Sequence, residues 1–525
     1  MQRRRAAPTT TTTTTTSLQS KGSSGRSKQR QPIQTILSLE KVLMVILMIT
    51  AILIGIVTYF HEIVEEEEGI LVIHDKSKQL LQSAVVAAVG GDDVTALQAV
   101  DADLKQKSSS VSDIINTDTD ITKYHLIFST GCSPFQDWQS YIFFFHAWQS
   151  GQEGNVTRIA SCSNANDAST LRQLHDTTIK VMSDRFQLHI TPDFSHTAIP
   201  GRNYKYANKP FGVLHFLKNV LHYHDHEGEG EQEGSNNNNK HDDTIIMLLD
   251  PDQLIIRPFT NDFSESNEVW RPTKSKLPIK TKVEHGSPFG QQYGFGLQWK
   301  TKVNATYVTN DASTRIETMD MDEAKGHYVL GPPYIATARD MFAISQKWTE
   351  YLPRVHDNYP HLLAEMFAYC LAAAHLNLPH RVAHSFMVSD TGSGGEGWKL
   401  VQKMTNNQVC NPPPELNPHV LHYCHNYNLG KWFIGKYRLR KDFISCDAPL
   451  LKEPPTDIVN YHYKIAPDGS RTEIGAQGSQ RNAYMLCSLL PRLNQAAIFF
   501  KEHHCDAGQG NFNKTYIFHD SDEGM

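Results

Sequence analysis

The order of apolar and polar positions predicts strands that alternate with helices from residue 124 onward. Residues 124–130 form a β-rich run that ends at Gly131, residues 137–149 carry a helical pattern, and residues 156–161 form a second strand. This spacing predicts a βαβ unit, because such connections are almost always right-handed and parallel. Another helix follows Asn208-Lys209-Pro210, whose proline suits a first helical turn. The pattern therefore predicts an α/β fold.

A strong helical pattern also covers residues 360–376. Its predicted core stripe consists of Leu363, Met366, Phe367, Cys370 and Ala374. Glu365 lies on another face of this helix, with Leu362, Tyr369 and Ala372. Two interpretations of Glu365 stay open: an internal carboxyl group with a raised pKa, or a residue at the helix edge that reaches solvent.

The stretch from residue 244 to 258, TIIMLLDPDQLIIRP, contains the clearest predicted strand and, directly after it, the clearest candidate site residues. Five apolar residues precede Asp250-Pro251-Asp252, and a short apolar run bounded by turn residues predicts a buried central strand. Ligands of open α/β sheets bind just beyond the carboxyl ends of such strands. Two carboxylates at this position need a partner, because an unpaired buried charge is too costly.

A divalent cation is the simplest partner for Asp250 and Asp252. Oxygen ligands suit Mg²⁺ or Mn²⁺, and an ion held by few protein oxygens completes its shell with substrate phosphates. Asp-Pro-Asp is also favourable turn chemistry, but the closely flanking strands favour a site for a metal and a diphosphate. The imidazole-rich run of residues 419–427 supplies His422 as a candidate nitrogen ligand, with a hydrogen-bonded core histidine as the alternative.

The start of the chain predicts a membrane anchor. Residues 1–41 carry eight Lys or Arg against one acid and include a Thr tract, and residues 42–60 form 19 positions without a charge. At 1.5 Å per residue, such a helix is about 28 Å long, close to the hydrocarbon thickness of a bilayer. The positive-inside rule places the N-terminus in the cytosol. A cleavable signal peptide fits less well, because the apolar stretch is too long and begins too late.

Composition and cysteines place the rest of the chain in a lumenal, globular protein. With 39% hydrophobic residues, 20% charged residues and a formal net charge of −6, the chain lacks the basic balance of a nucleic-acid partner. All eight cysteines follow the apolar stretch, and an even set suggests disulfides in an oxidising compartment, although the sequence does not choose the pairing. A free buried thiol is the alternative, above all for Cys370. Three sequons, at Asn155, Asn304 and Asn513, agree with a lumenal domain.

These patterns divide the chain into five parts. They are a cytosolic basic tail (1–41), a transmembrane signal-anchor helix (42–60), a lumenal stem (61–121), a catalytic domain (122–455) and a C-terminal extension (456–525). Residues 226–243 are acidic, Gly-rich and Asn-repetitive, which predicts a surface insertion without defined structure.

A series of short motifs lies in a fixed order between residues 124 and 455. It comprises Phe135-Gln-Asp-Trp-Gln139, Thr157-Arg158-Ile159, Asn208-Lys209-Pro210, residues 250–258, Gln291-Gln-Tyr293, Gly331-Pro-Pro-Tyr-Ile335, Glu365-Met-Phe-Ala-Tyr369, His422-Tyr423 and Gly430-Lys-Trp432. Together they resemble the plant and algal hydroxyproline O-arabinosyltransferase family, and the related peptidyl-serine α-galactosyltransferases look equally close. The resemblance covers about two-thirds of the chain.

The resemblance implies a GT-A-type, Rossmann-like nucleotide-diphospho-sugar transferase domain in a single-pass type II protein of the Golgi (or ER) membrane. Its activity would be the transfer of L-arabinofuranose from UDP-L-arabinofuranose to hydroxyproline of secreted or cell-wall proteins, with retention of configuration. The alternative is transfer of galactose from UDP-galactose to serine. The acceptors implied are Hyp- or Ser-rich glycoproteins.

By the same resemblance, Asp250 faces the ribose and the metal, and Asp252 and His422 hold the metal, Mn²⁺ (or Mg²⁺). Arg158 and Lys209 are candidates to meet the diphosphate or the sugar. Positive charge builds at the anomeric carbon during transfer, and a nearby carboxylate can stabilise or attack it. We therefore expect Glu365 to be the catalytic residue.

Two other classes of protein stay open. One is a membrane-anchored binding module that kept the fold and lost turnover, although a pure binder has no need of an Asp-x-Asp that grips a diphosphate. The other is a metal-dependent hydrolase, which would need a ligand set richer in histidine than Asp250, Asp252 and His422.

Overall fold

The computed structural model describes residues 123–223, 240–273, 280–466, 468–506, 509–513 and 515–516. All of them belong to one compact unit, Ile114–Met525. The predicted tail, membrane span (42–60) and stem (61–121), with most of the predicted 226–243 insertion, lie outside the described residues. Among the helices that are described, none is long and apolar enough to cross a membrane.

The described residues contain strands β1 to β16. In chain order these are Tyr124–Gly131, Asn155–Cys162, Phe186–Pro192, Ile245–Leu249, Gln253–Ile255, Phe289–Gln292, Leu330–Thr337, Arg381–Ala383, Met387–Val388, Val420–His422, Tyr427–Leu429, Trp432–Ile434, Leu450–Leu451, Tyr463–Ile465, Arg471–Glu473 and Thr515–Tyr516.

The same residues contain helices α1 to α12. In chain order these are Pro134–Gln149, Ala165–Leu174, Asn208–Asn219, Gln298–Thr301, Ala305–Thr309, Arg315–Thr318, Met321–His327, Ala338–Asn358, Ala364–His375, Trp398–Val401, Asn406–Val409 and Ala476–His504. A π-helical turn, His175–Ile179, continues α2.

A mixed sheet of seven strands organises the unit, in the order β3-β2-β1-β4-β7-β6-β8. Strand β1 pairs in parallel with β2 and β4, β2 pairs in parallel with β3, and β7 is antiparallel to β4. The predicted βαβ unit and the α/β class are therefore confirmed. Because β1, β2 and β4 run in the same direction, their carboxyl ends meet at one edge of the sheet.

The two faces of the sheet bury two separate cores. Side chains alternate along a strand, so Leu126 and Met247 pack on one face while Ile127 and Ile246 pack on the other. Helices α1 and α12 cover the first face, and α3, α8 and α9 cover the second. Strands that are buried on both faces are nearly continuous apolar runs, as IIMLL in β4 is.

Helix α9 begins at Ala364, four residues after the predicted start. The segment before it is a turn, in which the backbone N–H of Ala364 donates to the carbonyl of His361 over 3.0 Å. Leu362 lies on this turn and is 48% exposed, so its predicted place beside Glu365 on an apolar helix face is wrong. The predicted core stripe of Leu363, Met366, Phe367, Cys370 and Ala374 does pack in the second core.

Disulfides and the last helix hold the unit together. The bonded pairs are Cys132–Cys162, Cys410–Cys487 and Cys446–Cys505, while Cys370 is a free buried thiol, as its apolar helix pattern indicates. Helix α12 lies within the predicted extension after residue 455. It shares the first core with α1 and β1, so the described part of this extension packs in the same body as the sheet.

Candidate functional site

The acidic turn after β4 lies at the carboxyl edge of the sheet. Asp250 and Asp252 are 9% and 5% exposed. The N–H of Gln253 donates to the Asp250 carbonyl over 3.0 Å, and the Asp250 N–H donates to Gln253 Oε1 over 2.9 Å. Local turn chemistry and a buried acidic site therefore coexist, and the turn fixes the direction of both carboxylates.

Strand β10 brings His422 to this turn. It pairs antiparallel with β5, so that His422 stands opposite Gln253. The N–H of Tyr423 donates to the Asp252 carbonyl over 3.1 Å, and His422 Nε2 lies 3.3 Å from Asp252 Oδ1. The predicted metal residues are thus brought together.

The ligand atoms of Asp250, Asp252 and His422 lie within 4.8 Å of one another. Two carboxylates and one imidazole are a suitable donor set for Mn²⁺ or Mg²⁺, and three protein ligands leave positions for oxygens of a substrate. The residues present therefore fit a divalent cation.

Two lysines contact the carboxylates in this structure. Lys209, near the start of α3, places Nζ 2.7 Å from Asp250 Oδ1 and 3.4 Å from Glu365 Oε1. Lys436, in the 3₁₀ turn Lys436–Arg438 after β12, contacts Asp252 Oδ2. Sequence reasoning named Lys209 but missed Lys436. The sequence does contain a Gly-Lys pair shortly after the Gly430-Lys-Trp432 motif, and the two aspartates need a positive partner. Together these two features could have indicated Lys436.

The electrostatics of Asp252 and His422 follow from these contacts. Burial raises the pKa of Asp252, but His422 and Lys436 outweigh burial, so that this pKa lies well below its usual range. Burial lowers the pKa of His422, yet the neighbouring Cys424 and Asp252 outweigh it and raise that pKa. Asp252 is therefore ionised at neutral pH.

Glu365 is an internal carboxyl group in the first turn of α9. It is 1% exposed, so the solvent-reaching interpretation is excluded. Burial raises its pKa to about 7, with Lys209 opposing the shift and Asp250 adding to it. Its N–H donates to Tyr204 Oη over 3.0 Å, and Trp348 Nε1 donates to its carbonyl over 2.8 Å. The side chain is thus held on a fixed backbone beside Lys209.

Arg158 is buried in β2 and has its own partners. Its NH2 group donates to Asp137 Oδ1 over 2.8 Å and to the Gly131 carbonyl over 3.2 Å, and Nε donates to Thr130 Oγ1 over 2.8 Å. Among the described residues, none of these partners belongs to the Asp250 group. Arg158 instead borders a cavity of about 160 Å³ beside α1. Its role in donor binding stays a prediction.

Aromatic contacts join the Lys436 turn to the segment after β1. Tyr437, 71% exposed, stacks on Phe135 at the start of α1, with ring centroids 5.5 Å apart and planes 4° apart. Trp138, one turn further along α1, lies 6.3 Å from the ring of Tyr423. The carboxyl ends of β1 and β4 and the segment after β10 thus meet around one site.

A buried acidic cation site at the carboxyl edge of an α/β sheet suits proteins that bind phosphorylated ligands there. The chain is similar to the peptidyl serine alpha-galactosyltransferase of Arabidopsis thaliana, with 24% identity over 339 residues, 63% of this chain and 34% of the relative. The enzyme of the same name from Chlamydomonas reinhardtii is 24% identical over 276 residues, 50% of this chain and 31% of the relative. The predicted resemblance to these transferases is confirmed, and the arabinosyl subtype stays a prediction.

The chain spans about a third of the length of the curated relatives it matches. No family model matches it. A crystal structure of the galactosyltransferase LgtC with donor and acceptor sugar analogs is 10% identical, covering 57% of this chain and 87% of that chain with a TM-score of 0.32. A likeness of that size carries no argument about this site.

Proposed function

We propose that this chain is a GT-A-type glycosyltransferase that moves a sugar from a UDP-sugar to a hydroxyl group of a peptide. The observation that carries the proposal is the buried group of Asp250, Asp252 and His422 at the carboxyl edge of the sheet. The names of the two relatives favour galactose as the sugar and serine as the acceptor. Transfer of L-arabinofuranose to hydroxyproline is the second candidate, on the motif resemblance described above.

Asp250, Asp252 and His422 would hold Mn²⁺ or Mg²⁺. Bound there, the cation would act as a Lewis acid that stabilises the negative charge of the UDP leaving group. Lys209 and Lys436 add positive charge at the same place, since each already touches one of the two aspartates. During transfer the bond from the anomeric carbon to the diphosphate oxygen would break, a bond to the acceptor oxygen would form, and the acceptor's hydroxyl proton would pass to the departing diphosphate.

Glu365 is the proposed catalytic carboxylate for that step. It is buried 3.4 Å from Lys209, and the ammonium group favours its ionised form against the effect of burial. An ionised carboxylate there would stabilise the positive charge that develops at the anomeric carbon. Its fixed backbone supports this role, because a positioned group needs no reorganisation during the reaction.

We also propose that the unit works in the lumen of the Golgi or ER, behind the anchor predicted at residues 42–60. The three disulfides support an oxidising compartment. The basic residues before the anchor and the sequons after it agree with the same orientation.

A transfer assay with the purified full-length protein tests the function. UDP-galactose and UDP-L-arabinofuranose are each incubated with Mn²⁺ and a serine- or hydroxyproline-containing peptide, and mass spectrometry detects a hexose or a pentose on the peptide. We expect Asp252→Ala and Glu365→Gln to lower transfer by about 100-fold or more.

The matched control is Asp442→Ala, which removes an exposed carboxylate paired with Arg440 and should leave transfer unchanged. Full activity of Asp252→Ala would refute the proposed function. Turnover of Glu365→Gln within a few-fold of wild type would refute the role of Glu365 alone. Binding of a UDP-sugar without transfer to either peptide would favour the binding module.

A further inference from the structure

Both aspartates of the proposed cation site are already paired with lysine. Lys209 Nζ lies 2.7 Å from Asp250 Oδ1, and Lys436 Nζ contacts the second oxygen of Asp252, the one that His422 does not face. The side chains of Asp252 and Lys436 are 7% and 15% exposed, so the pair is largely shielded from water. An ammonium group and a divalent cation would here bind the same carboxylate.

Lys436 and a divalent cation therefore compete for the Asp252 carboxylate. A carboxylate oxygen that accepts from an ammonium group is less available to a metal, and the two cations repel each other strongly in a partly buried site. A divalent cation therefore binds well only when Lys436 has another anion to contact.

The diphosphate of the proposed donor is such an anion. We propose that Lys436 is an internal cation that pairs with Asp252 until the diphosphate of a nucleotide replaces Asp252 as its partner. Asp252 then becomes available to the metal, so that metal and donor bind synergistically. This inference rests on the proposed function and assigns to Lys436 the coupling between the two ligands.

Lys436 is better suited to this exchange than Lys209. Lys209 bridges Asp250 and Glu365, so moving it would leave a second buried carboxyl group without its partner. Among the described residues, Lys436 has Asp252 as its single ion-pair partner. Lys436 also belongs to a 3₁₀ turn of only three residues, and the next residue of this turn, Tyr437, is exposed to solvent.

Thermodynamic linkage between UDP binding and Mn²⁺ binding allows the proposal to be tested by binding measurements, without an assay of catalysis. If UDP raises the affinity for Mn²⁺ by some factor, Mn²⁺ must raise the affinity for UDP by the same factor. Removing the internal cation should strengthen Mn²⁺ binding in the absence of UDP, because Asp252 then has no competing partner. The same change should reduce the factor by which UDP and Mn²⁺ each raise the affinity of the protein for the other.

The experiment measures Mn²⁺ binding to the full-length protein by the electron paramagnetic resonance signal of free Mn²⁺, with and without UDP. We expect UDP to tighten Mn²⁺ binding to the wild type about tenfold or more. In Lys436→Met, binding without UDP should tighten several-fold, and the factor by which UDP tightens Mn²⁺ binding should be several-fold smaller than in the wild type. Lys436→Arg keeps the charge and should behave like the wild type.

Lys431→Met is the matched control, since it removes one positive charge from an exposed lysine of the same region that rests on the ring of Trp432. Unchanged or weaker Mn²⁺ binding by Lys436→Met without UDP, or an equal gain in Lys431→Met, would overturn the role of Lys436. A wild type that binds no Mn²⁺ even with UDP would overturn the proposed metal site itself, and this inference with it.

Discussion

At the scale of single residues, the site is a set of charges that hold one another in place. Asp250, Asp252 and Glu365 each touch a lysine, and their burial would be prohibitive without those contacts. The same lysines are close to where a diphosphate would bind. On the proposed function, stability and ligand binding use the same side chains, and a substitution here would change both.

Glu365 should make folding stability depend on pH. Its folded pKa of about 7 lies above the ordinary value of 4.5. Stability from such a group is fully present below pH 4.5 and is lost as pH rises through about 7. The loss amounts to about 3 kcal/mol, at 1.36 kcal/mol for each pKa unit.

We expect Glu365→Gln to remove this slope, because the amide does not ionise. Urea unfolding of the wild type and the variant at pH 5, 6, 7 and 8 measures the effect. Relative to the wild type, the variant's free energy of unfolding should increase as pH rises. A difference that is constant with pH would show that Glu365 titrates normally.

At the scale of elements, the placement of β10 decides whether the site exists. Another buried carboxylate, that of Glu268, fixes the start of this strand. It accepts from His419 Nε2 over 3.0 Å, from Arg257 and from the hydroxyl of Ser385. Burial raises the pKa of Glu268, but His419 and Arg257 outweigh burial and lower it to about 2. Its contribution to stability is thus present above pH 4.5 and is lost as pH falls through about 2.

We expect Glu268→Gln to lower the free energy of unfolding at pH 7 by about 3 kcal/mol, because it leaves the partly buried guanidinium group of Arg257 without its anion. Denaturant unfolding measures this change. Glu415→Gln, at an exposed position of the preceding turn, is the control and should change stability little. Equal stability of the two variants would mean that Glu268 does not anchor β10.

Sequence reasoning reached the parts of the site that depend on local pattern. Apolar runs located β1, β2 and β4, and turn residues after β4 pointed to Asp250 and Asp252. The pairing of β10 with β5 and the turn that delivers Lys436 depend on contacts between distant segments, which no local period encodes. Helix α9 was located but began late, because the segment before it folds as a turn.

At the scale of the whole unit, a long-range disulfide joins α12 to Cys410, the residue directly after α11. Cys410 and Cys487 are 77 residues apart in the sequence. In the chain-entropy model, closing a loop of this length stabilises the folded state by about 4.5 kcal/mol, and removal of native disulfides typically costs about 2 to 5 kcal/mol.

We expect the double variant Cys410→Ser/Cys487→Ser to lose about 2 to 5 kcal/mol of unfolding free energy in denaturant titration. Both proteins are also unfolded after reduction with dithiothreitol, which opens all three disulfides of the wild type and the two that remain in the variant, and they should then unfold at similar denaturant concentrations. A gap that persists under reducing conditions would assign the loss to packing of the serines and not to the cross-link.

The position of α12 in the first core also bears on how the chain matures. A ribosome that has reached residue 475 has made every residue proposed for catalysis, yet the aromatic side of α1, including Tyr141 and Phe145, still lacks the rings of Phe500 and Phe499. Until α12 emerges, the nascent unit exposes this apolar surface, which is a risk for aggregation. Folding of the unit is therefore completed only after residues 476–504 have been synthesised and α12 can pack on α1.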